Sequence, residues 1–395
     1  MKSTADVVII GGGCMGASTA YHLTRRGVTD VVLIEREALL GTGSTGRNAG
    51  GVRHQFSNEA NIRLSIESIG LFEHFRDEIG YDVDFHQDGY LFLLSTEKSV
   101  AAFRRNVEMQ RRFGIHVDWL DGAGARALAP GLDVDGVLGA TFCAKDGIVD
   151  PNGVTMGFAK GAQAAGVEIC RETEALAIEV AHGRIDAVQT NRGTIATRTV
   201  VNAAGPYARQ IGQMAGLDVP VQPYRRHIFI AQPPPGVDFD RPQSGQVAVV
   251  PASRIMVIDF DTTFYFHREG ANLLFGMGDP SEPAGFDTTV NWEFLEAVTR
   301  VAVRRLPALA EAAVSHAWAG LYEMTPDAMP IIGPANRLPG FFMINGFSGH
   351  GFQHSPAAGR VLADLIVGRN PGIDTAPFAF ERFAARALEG EGYVV

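Results

Sequence analysis

The chain contains little cysteine. Its 395 residues include three, Cys14, Cys143 and Cys170, and they form no C-x-x-C pair or other close spacing. Disulfide frameworks and structural zinc sites need paired or clustered cysteines, so the spacing argues against both. We therefore expect no metal site, and unpaired cysteines are typical of a reducing compartment such as the cytoplasm.

Long apolar runs are also lacking. An apolar segment near the start, residues 7–17, is too short and too rich in glycine to cross a bilayer. No cleavage site that would suit a signal peptide follows it. We expect neither a membrane span nor a cleaved leader.

Basic residues are fewer than acidic residues. The 34 Lys and Arg residues oppose 44 Asp and Glu residues, and the net charge of −10 argues against nucleic acid or an anionic membrane as the main partner. Apolar residues make up 46% of the chain and charged residues 20%, and no internal repeat or low-complexity tract is evident. A large folded core is therefore expected, in a chain long enough for about two to three domains.

Glycine is abundant, and the first cluster follows a short apolar run. Residues 7–10 suit a buried parallel strand, and Gly11, Gly13 and Gly16 complete a G-x-G-x-x-G motif that opens a helix. The free N–H groups at such a helix start bind phosphate. A second strand ends at Glu35, about 20 residues further on, where a carboxylate accepts ribose hydroxyls. The segment predicts a dinucleotide site.

A second glycine-rich segment, residues 345–353, lies near the other end of the chain. A helix follows, and Ser355 and Pro356 suit its N-cap and N1 positions. A flavin dinucleotide is long enough to reach from the first motif to this distant helix start. The dipole of the helix would stabilise negative charge near N1 and O2 of the reduced ring. The alternative is a structural glycine turn.

The segments between the two motifs alternate between α/β patterns and runs of short strands. One helix is predicted from Asn58 as N-cap to Gly80, because Ile62, Ile66 and the apolar residues after them keep a three-to-four spacing. A second helix is predicted over residues 291–305. Strands are predicted near residues 167–170, 175–180, 185–190, 226–231, 256–260 and 263–267.

Six segments together resemble the D-amino-acid oxidase superfamily of flavoproteins. They are residues 11–16, 35–36, 44–45, 146–151, 201–205 and 346–352. Within that superfamily the stretch 50–57, Gly-Gly-Val-Arg-His-Gln-Phe-Ser, is most similar to the sarcosine oxidase and proline dehydrogenase β-subunit group. The resemblance covers essentially the whole chain. It implies an α/β fold with a Rossmann-like FAD-binding domain and a substrate-binding domain with a large, mostly antiparallel sheet. Both domains are discontinuous, the first over residues 1–84, 145–215 and 325–395, the second over 85–144 and 216–324.

The same resemblance implies non-covalent FAD as the cofactor. Glu35 would hold the ribose, Ser44 and Thr45 would lie near the pyrophosphate, and the backbone of Ala175 would lie near the adenine. The full set of implied cofactor contacts is Gly11, Gly13, Met15, Gly16, Glu35, Arg36, Ser44, Thr45, Arg47, Ala175, Ala204, Gly205, Gly349, His350, Gly351, Phe352 and Gln353.

Five residues are candidates for the substrate side of the flavin ring. Arg53 matches an arginine that pairs with the substrate carboxylate, and its planar guanidinium suits a bidentate partner. A surface arginine is the alternative for this position. Tyr322 matches a tyrosine on the substrate side, with a core tyrosine as the alternative. His350 and Gln353 match positions beside the flavin, and His267 either faces the ring or ends a strand in solvent.

Four positions depart from the relatives within that group. Gly320 and Arg47 stand where a cysteine or a histidine carries the flavin covalently, so neither bond can form. Leu274 stands where a lysine promotes reaction with oxygen, and Gln353 stands in place of a second lysine. These departures leave open whether oxygen or another electron acceptor reoxidises the flavin, and whether sarcosine is the preferred substrate.

The resemblance implies FAD-dependent oxidation of a secondary or N-methylated amino acid, similar to sarcosine or L-proline. Hydride transfer to flavin N5 would give an imine that water hydrolyses. One alternative is an oxidoreductase of the same superfamily that acts on a D-amino acid, glycine or a 2-hydroxy acid. The other is a non-catalytic assembly factor, or a subunit that is silent without its partner subunits.

Overall fold

The computed structural model describes residues 1–233, 251–384, 388 and 390–394. The strands are β1 (Val7–Ile10), β2 (Val31–Ile34), β3 (Gly51–Val52), β4 (Tyr90–Leu94), β5 (Asp118–Leu120), β6 (Gly139–Cys143), β7 (Gly147–Ile148), β8 (Glu168–Cys170), β9 (Ala175–Ala181), β10 (Arg184–Thr190), β11 (Gly193–Ala196), β12 (Val200–Asn202), β13 (Gln222–Gln232), β14 (Met256–Asp259), β15 (Phe264–Glu269), β16 (Asn272–Met277), β17 (Ala313–Met324), β18 (Ile331–Pro334) and β19 (Phe341–Asn345). The α-helices are α1 (Cys14–Thr24), α2 (Glu59–Glu73), α3 (Phe75–Ile79), α4 (Glu97–Arg112), α5 (Gly122–Leu128), α6 (Pro151–Ala164), α7 (Ala208–Met214), α8 (Trp292–Arg305) and α9 (Gly351–Ile366).

A six-stranded sheet in the order β18-β19-β12-β1-β2-β8 carries both glycine motifs. β1 pairs in parallel with β2 and β12, and only β18 runs antiparallel to its neighbour. Both faces are covered, because Val7 and Ile9 pack in one core cluster with α1, α6 and α9, whereas Val8 and Ile10 pack in another. Burial on both faces is the physical reason why β1 is apolar throughout.

The second large sheet has eight strands, in the order β17-β13-β16-β15-β14-β4-β6-β5. Its pairs are antiparallel except for β14 with β4. One face packs against α8, which begins after the N-cap Asn291 as predicted. The predicted fold class, an α/β unit with a large and mostly antiparallel second sheet, is confirmed. The division of the chain at the stated domain boundaries stays a prediction.

Two predicted helix boundaries are wrong. The helix predicted to run from Asn58 to Gly80 is broken at His74 into α2 and α3. Ile66, predicted to be on its apolar face, is 38% exposed. A regular three-to-four spacing does not show this break, because both halves keep apolar residues toward the same core.

The last helix starts five residues before the predicted position. α9 begins at Gly351 with His350 as N-cap, so Pro356 lies inside it. The N–H of the next residue, Ala357, donates to the Ser68 hydroxyl on α2 at 3.2 Å. A proline inside a helix removes one backbone hydrogen bond of the helix and disturbs the adjacent ones. The Ser68 hydroxyl provides an acceptor for the N–H of Ala357, which follows the proline. No helix in the described part of the chain combines the length and apolar character that crossing a membrane requires.

Candidate active site

A cavity of about 530 Å³ brings together residues from both glycine motifs and from both sheets. One group of lining residues, here called the nucleotide side, includes Gly11, Gly13, Glu35, Arg36 and Ala175. A second group, here called the tyrosine side, includes Arg53, Tyr90, Tyr265, Tyr322 and Gln353. The further predicted residues that line it are Met15, Ser44, Thr45, Arg47, Ala204, Gly205, Gly349, His350, Gly351 and Phe352.

The turn between β1 and α1 is so tight that only glycine fits at two of its positions. A Cβ added at Gly16 would lie 1.9 Å from the carbonyl oxygen of Gly11, and one at Gly11 would lie 2.4 Å from that of Ala203. Gly16 therefore packs the helix on the strand, and it does not line the cavity. Gly13 is the N-cap of α1 and provides no side-chain cap. The N–H of Cys14 donates to the Thr45 hydroxyl at 3.2 Å, and the other N–H groups of the first turn are left for an anion.

Glu35 is fixed at the end of β2 by two backbone donors. Its Oε2 accepts from the N–H of Gly12 at 2.7 Å, and its Oε1 accepts from the N–H of Glu37 at 2.9 Å. A carboxylate offers about four acceptor positions, so two bonds leave capacity for ribose hydroxyls. Beside it, the Arg36 guanidinium lies 3.8 Å above the ring of Tyr207. The role of Glu35 as the ribose partner stays a prediction.

The second motif presents another helix start to the same cavity. Gly349 has a φ of +97°, and α9 begins two residues later with no side-chain cap at its N-cap His350. The starts of α1 and α9, whose N-cap residues provide no side-chain cap, therefore face one cavity. Each carries the positive end of a helix dipole, which favours phosphate at one and a reduced flavin ring at the other. The residues present fit a flavin dinucleotide.

Arg53 is buried on the tyrosine side, with 6% of its surface exposed. Its backbone N–H donates to Oε1 of Gln353 at 2.8 Å. Its Nη1 donates to the carbonyl of Gln55, and its Nη2 donates to the carbonyl of Tyr393 at 2.6 Å. Among the described residues it forms no ion pair, and burial lowers the pKa of the guanidinium. The surface-arginine alternative is therefore wrong.

The other candidates on the substrate side differ in their placement. Tyr322 and His350 line the cavity, and burial raises the pKa of the phenol and lowers that of the imidazole well below its usual value. Both side chains are therefore uncharged at neutral pH. Neither ring nitrogen of His350 has a partner within the described residues. His267 is buried within β15 and does not line the cavity, so a solvated strand end is wrong for it.

Several lining residues were not found from the sequence. Tyr90 and Tyr265 lie on β4 and β15, and Tyr393 lies near the end of the chain. No local pattern marks these three, because only the pairing of distant strands brings them together. Glu323 and Arg226 did carry a signal, since each is a charged residue on a strand that also holds apolar side chains. Both line the cavity.

A buried polar cluster behind Arg53 contains His54, Cys143 and Asp146, three residue types that bind metals. His54 Nδ1 lies 2.7 Å from an Asp146 carboxylate oxygen, which is a hydrogen-bond distance. Two ligands of one tetrahedral zinc ion are further apart, at about 3.3 Å. The same carboxylate accepts from the backbone N–H of His54 and from the Gln55 amide. The cluster therefore fixes the backbone that carries Arg53.

Comparison with known proteins agrees with this geometry. The chain is 30% identical to FAD-dependent oxidoreductase domain-containing protein 1 of Xenopus laevis, over 96% of this chain and 82% of that protein. It is 29% identical to the mitochondrial dimethylglycine dehydrogenase of Rattus norvegicus over 94% of this chain, and it spans 44% of that longer protein. The crystal structure of L-proline dehydrogenase from P. horikoshii superposes with a TM-score of 0.89 at 33% identity, covering 98% of this chain and 100% of that one.

The family model described as FAD dependent oxidoreductase matches residues 6–365. That range contains the Gly11 turn, Glu35 and the start of α9, all of which line the cavity. The chain therefore belongs to the family of FAD-dependent oxidoreductases.

Proposed function

We propose that the protein oxidises a secondary or N-methylated amino acid whose carboxylate is held by Arg53. The observation that carries this proposal is the buried guanidinium on the cavity wall, whose hydrogen-bond acceptors among the described residues are the neutral carbonyls of Gln55 and Tyr393. A buried charge without a counter-ion is costly, and an anionic ligand within reach of the remaining N–H groups would offset that cost. The arginine fork also suits a planar carboxylate better than a lysine does.

The tyrosine side would then enclose the amine end of the substrate. Tyr90, Tyr265 and Tyr322 form an aromatic wall, and burial raises the pKa of each phenol, so the wall carries no negative charge at neutral pH. The Arg226 guanidinium lies 5.1 Å from the centre of the Tyr322 ring, and its positive charge favours a neutral amine over an ammonium. Bound FAD would supply the hydride acceptor. The protein residues contribute the orientation of the substrate and the exclusion of water.

Two relatives support the class of substrate. The names dimethylglycine dehydrogenase and L-proline dehydrogenase both denote enzymes of amino acids with a substituted nitrogen. Both substrates also carry a carboxylate, for which Arg53 is the candidate partner. The cytoplasmic location stays a prediction. It rests on three buried, unpaired cysteines, whereas the rat relative is named as mitochondrial.

An anaerobic substrate screen tests the proposed reaction. The FAD-loaded chain is mixed with sarcosine or L-proline in one series, and with glycine, D-alanine or lactate in another. We expect the visible absorbance of the flavin to fall with the first series only. A fall with the second series alone would assign the protein to the alternative substrates. Bleaching that requires added partner subunits would identify it as a partner-dependent subunit.

Two arginine variants test the carboxylate contact. Arg53→Lys should raise KM by roughly 10- to 100-fold, because a single ammonium cannot replace a charge-assisted, forked contact. Flavin content should stay close to that of the parent. Arg226→Lys is the matched control, since Arg226 also lines the cavity and lies over the ring of Tyr322. A rise in KM for Arg226→Lys alone would place the carboxylate on Arg226.

A further inference from the structure

Residues 390–394, here called the tail, pack against the tyrosine side of the cavity. Tyr393 and Val394 line it directly. The Tyr393 ring stacks on Phe103 of α4, with centroids 4.1 Å apart and planes 14° apart. Its hydroxyl accepts a hydrogen bond from the amide of Asn106, also on α4, at 2.6 Å. The ring is therefore fixed by one stacking contact and one polar contact with the same helix.

A second anchor holds the tail two residues earlier. The Glu391 carboxylate accepts from the backbone N–H of Ser57 at 3.1 Å and from the amide of Asn61 at 3.0 Å. It also accepts from the N–H of Tyr393 at 2.9 Å. These donors surround the start of α2, where a negative charge is favoured by the helix dipole. With anchors at Glu391 and at the Tyr393 ring, the Tyr393 backbone between them is fixed in place.

That backbone holds Arg53. The Tyr393 carbonyl accepts from Nη2 of Arg53, and the Gln55 carbonyl accepts from Nη1. A guanidinium has five N–H donors, so at least three remain. Because both acceptors are neutral, they orient the group and leave its positive charge available to an anion. A carboxylate in either place would cancel that charge, and the nearby Glu391 carboxylate is instead turned toward α2.

We propose that Tyr393 is a positioning residue for Arg53, and that its carbonyl determines how strongly the cavity selects a ligand that carries a carboxylate. This inference rests on the proposed role of Arg53 as the carboxylate partner. It extends that role to the tail, which no pattern in the sequence marks as part of the site. The residues of the nucleotide side lie elsewhere on the wall, so the effect is confined to the carboxylate end of a ligand.

The experiment compares a charged probe with its neutral counterpart on the FAD-loaded protein. Acetate and acetamide have similar shapes, and each is titrated while the flavin spectrum is followed. Tyr393→Ala removes the stack on Phe103 and the bond from Asn106. We expect it to weaken acetate binding about tenfold and to leave acetamide binding unchanged, in line with one misaligned charge-assisted bond. KM for the amino acid should rise by the same factor, with kcat and flavin content close to the parent values. Tm should fall, because the loss of the buried ring leaves a cavity.

Tyr393→Phe keeps the stack on Phe103 and should restore most of the acetate affinity. An equal loss for acetate and acetamide, or a loss of flavin, would mean that the tail has only a structural role. Unchanged acetate binding in Tyr393→Ala would also overturn the inference. Arg53→Lys in the same assay separates the two proposals. If Arg53→Lys loses the preference for acetate and Tyr393→Ala keeps it, only the positioning role fails. If Arg53→Lys keeps it, the proposed carboxylate contact itself fails.

Discussion

The ring of Tyr322 packs directly on the backbone of Gly349. A Cβ added at Gly349 would lie 2.3 Å from Cε2 of that ring, and the φ of Gly349 is +97°. Tyr322 lies on β17 of the eight-stranded sheet, whereas Gly349 precedes α9 on the side of the six-stranded sheet. The contact therefore connects the two large sheets at the point where the start of α9 meets the cavity.

Gly349→Ala should displace Tyr322 and the start of α9 together. Both Gly349→Ala and the control Gly368→Ala introduce a side chain at positive φ, which costs about 1–2 kcal/mol. Nothing lies within 4 Å of a Cβ at Gly368, so that control carries the backbone cost alone. We expect Gly349→Ala to lose more stability in thermal unfolding than Gly368→Ala, because only the Cβ at Gly349 meets the Tyr322 ring. Only Gly349→Ala should lose flavin content and activity, and equal flavin loss in the two would contradict the role of the contact.

Glu35→Ala should weaken the retention of FAD. The change removes a carboxylate that is held by the N–H groups of Gly12 and Glu37 and that faces the cavity. Loss of a charge-assisted partner costs typically ~1.5–3 kcal/mol, or about 10- to 100-fold in affinity. Flavin remaining after gel filtration measures the effect, with Glu37→Ala as control. Because Gly320 and Arg47 provide no covalent anchor, acid should release intact FAD. Flavin that stays on denatured protein would refute the non-covalent assignment.

The nucleotide side of the cavity could be predicted from the sequence, because its signals are local. A strand, a glycine turn and a helix lie within residues 7–24, and the turn needs glycine for reasons that hold in any protein of this type. Glu35 follows at a distance fixed by one helix and one strand. Local spacing therefore carries nearly all the information that this half of the site requires.

The substrate side could be predicted only in part. Arg53 was found through a resemblance, yet its environment depends on Tyr393, 340 residues later. Tyr90 and Tyr265 reach the cavity because β4 pairs with β14, and β14 pairs with β15. Such register is set by long-range packing and leaves no periodic trace in the chain. The start of α9 was misplaced for a similar reason, since Ser68 on another helix compensates for the internal Pro356.

Binding of FAD should depend on the protonation of Glu323. Burial raises the pKa of this carboxyl from 4.5 to about 7, while the N–H of Phe347 acts in the opposite direction. A Cβ at Gly205 would lie 2.8 Å from its Oε2, so the group stands beside the nucleotide side of the cavity. Below this pKa it is neutral and can donate to a phosphate. Above it the carboxylate repels the anionic cofactor.

The folded pKa is higher than the unfolded value, so the contribution to stability is complete below pH 4.5 and is lost as the pH rises through about 7. The affinity for FAD should fall as the pH rises above about 7, where this carboxyl ionises in the folded protein. Flavin titration of the FAD-free protein at about pH 6 and about pH 8.5 measures this fall. Glu323→Gln keeps the shape of the side chain and should remove the difference. A pH dependence that persists in Glu323→Gln would assign it to another group.

The last prediction concerns the electron acceptor. The resemblance to the sarcosine oxidase group implies that Leu274 stands in place of a lysine. Leu274 is 4% exposed on β16 and packs with Ile228 and Ile230. The described residues that line the cavity include no lysine. His267 pairs with Leu274 across the strands, but burial lowers its pKa to about 4, so it is uncharged at neutral pH. The histidine therefore does not replace the missing charge.

A positive charge beside the reduced flavin stabilises the superoxide that forms when oxygen takes the first electron. Leu274 supplies no such charge at its position, so we expect reduced protein to react slowly with oxygen and rapidly with a dye or quinone. Stopped-flow mixing of the reduced protein with each acceptor measures both rates. Leu274→Lys should accelerate the reaction with oxygen, whereas the uncharged control Leu274→Met should leave it unchanged. Reoxidation of the parent by oxygen at the rate of turnover would make the protein an oxidase, and Leu274 would then have no bearing on the choice of acceptor.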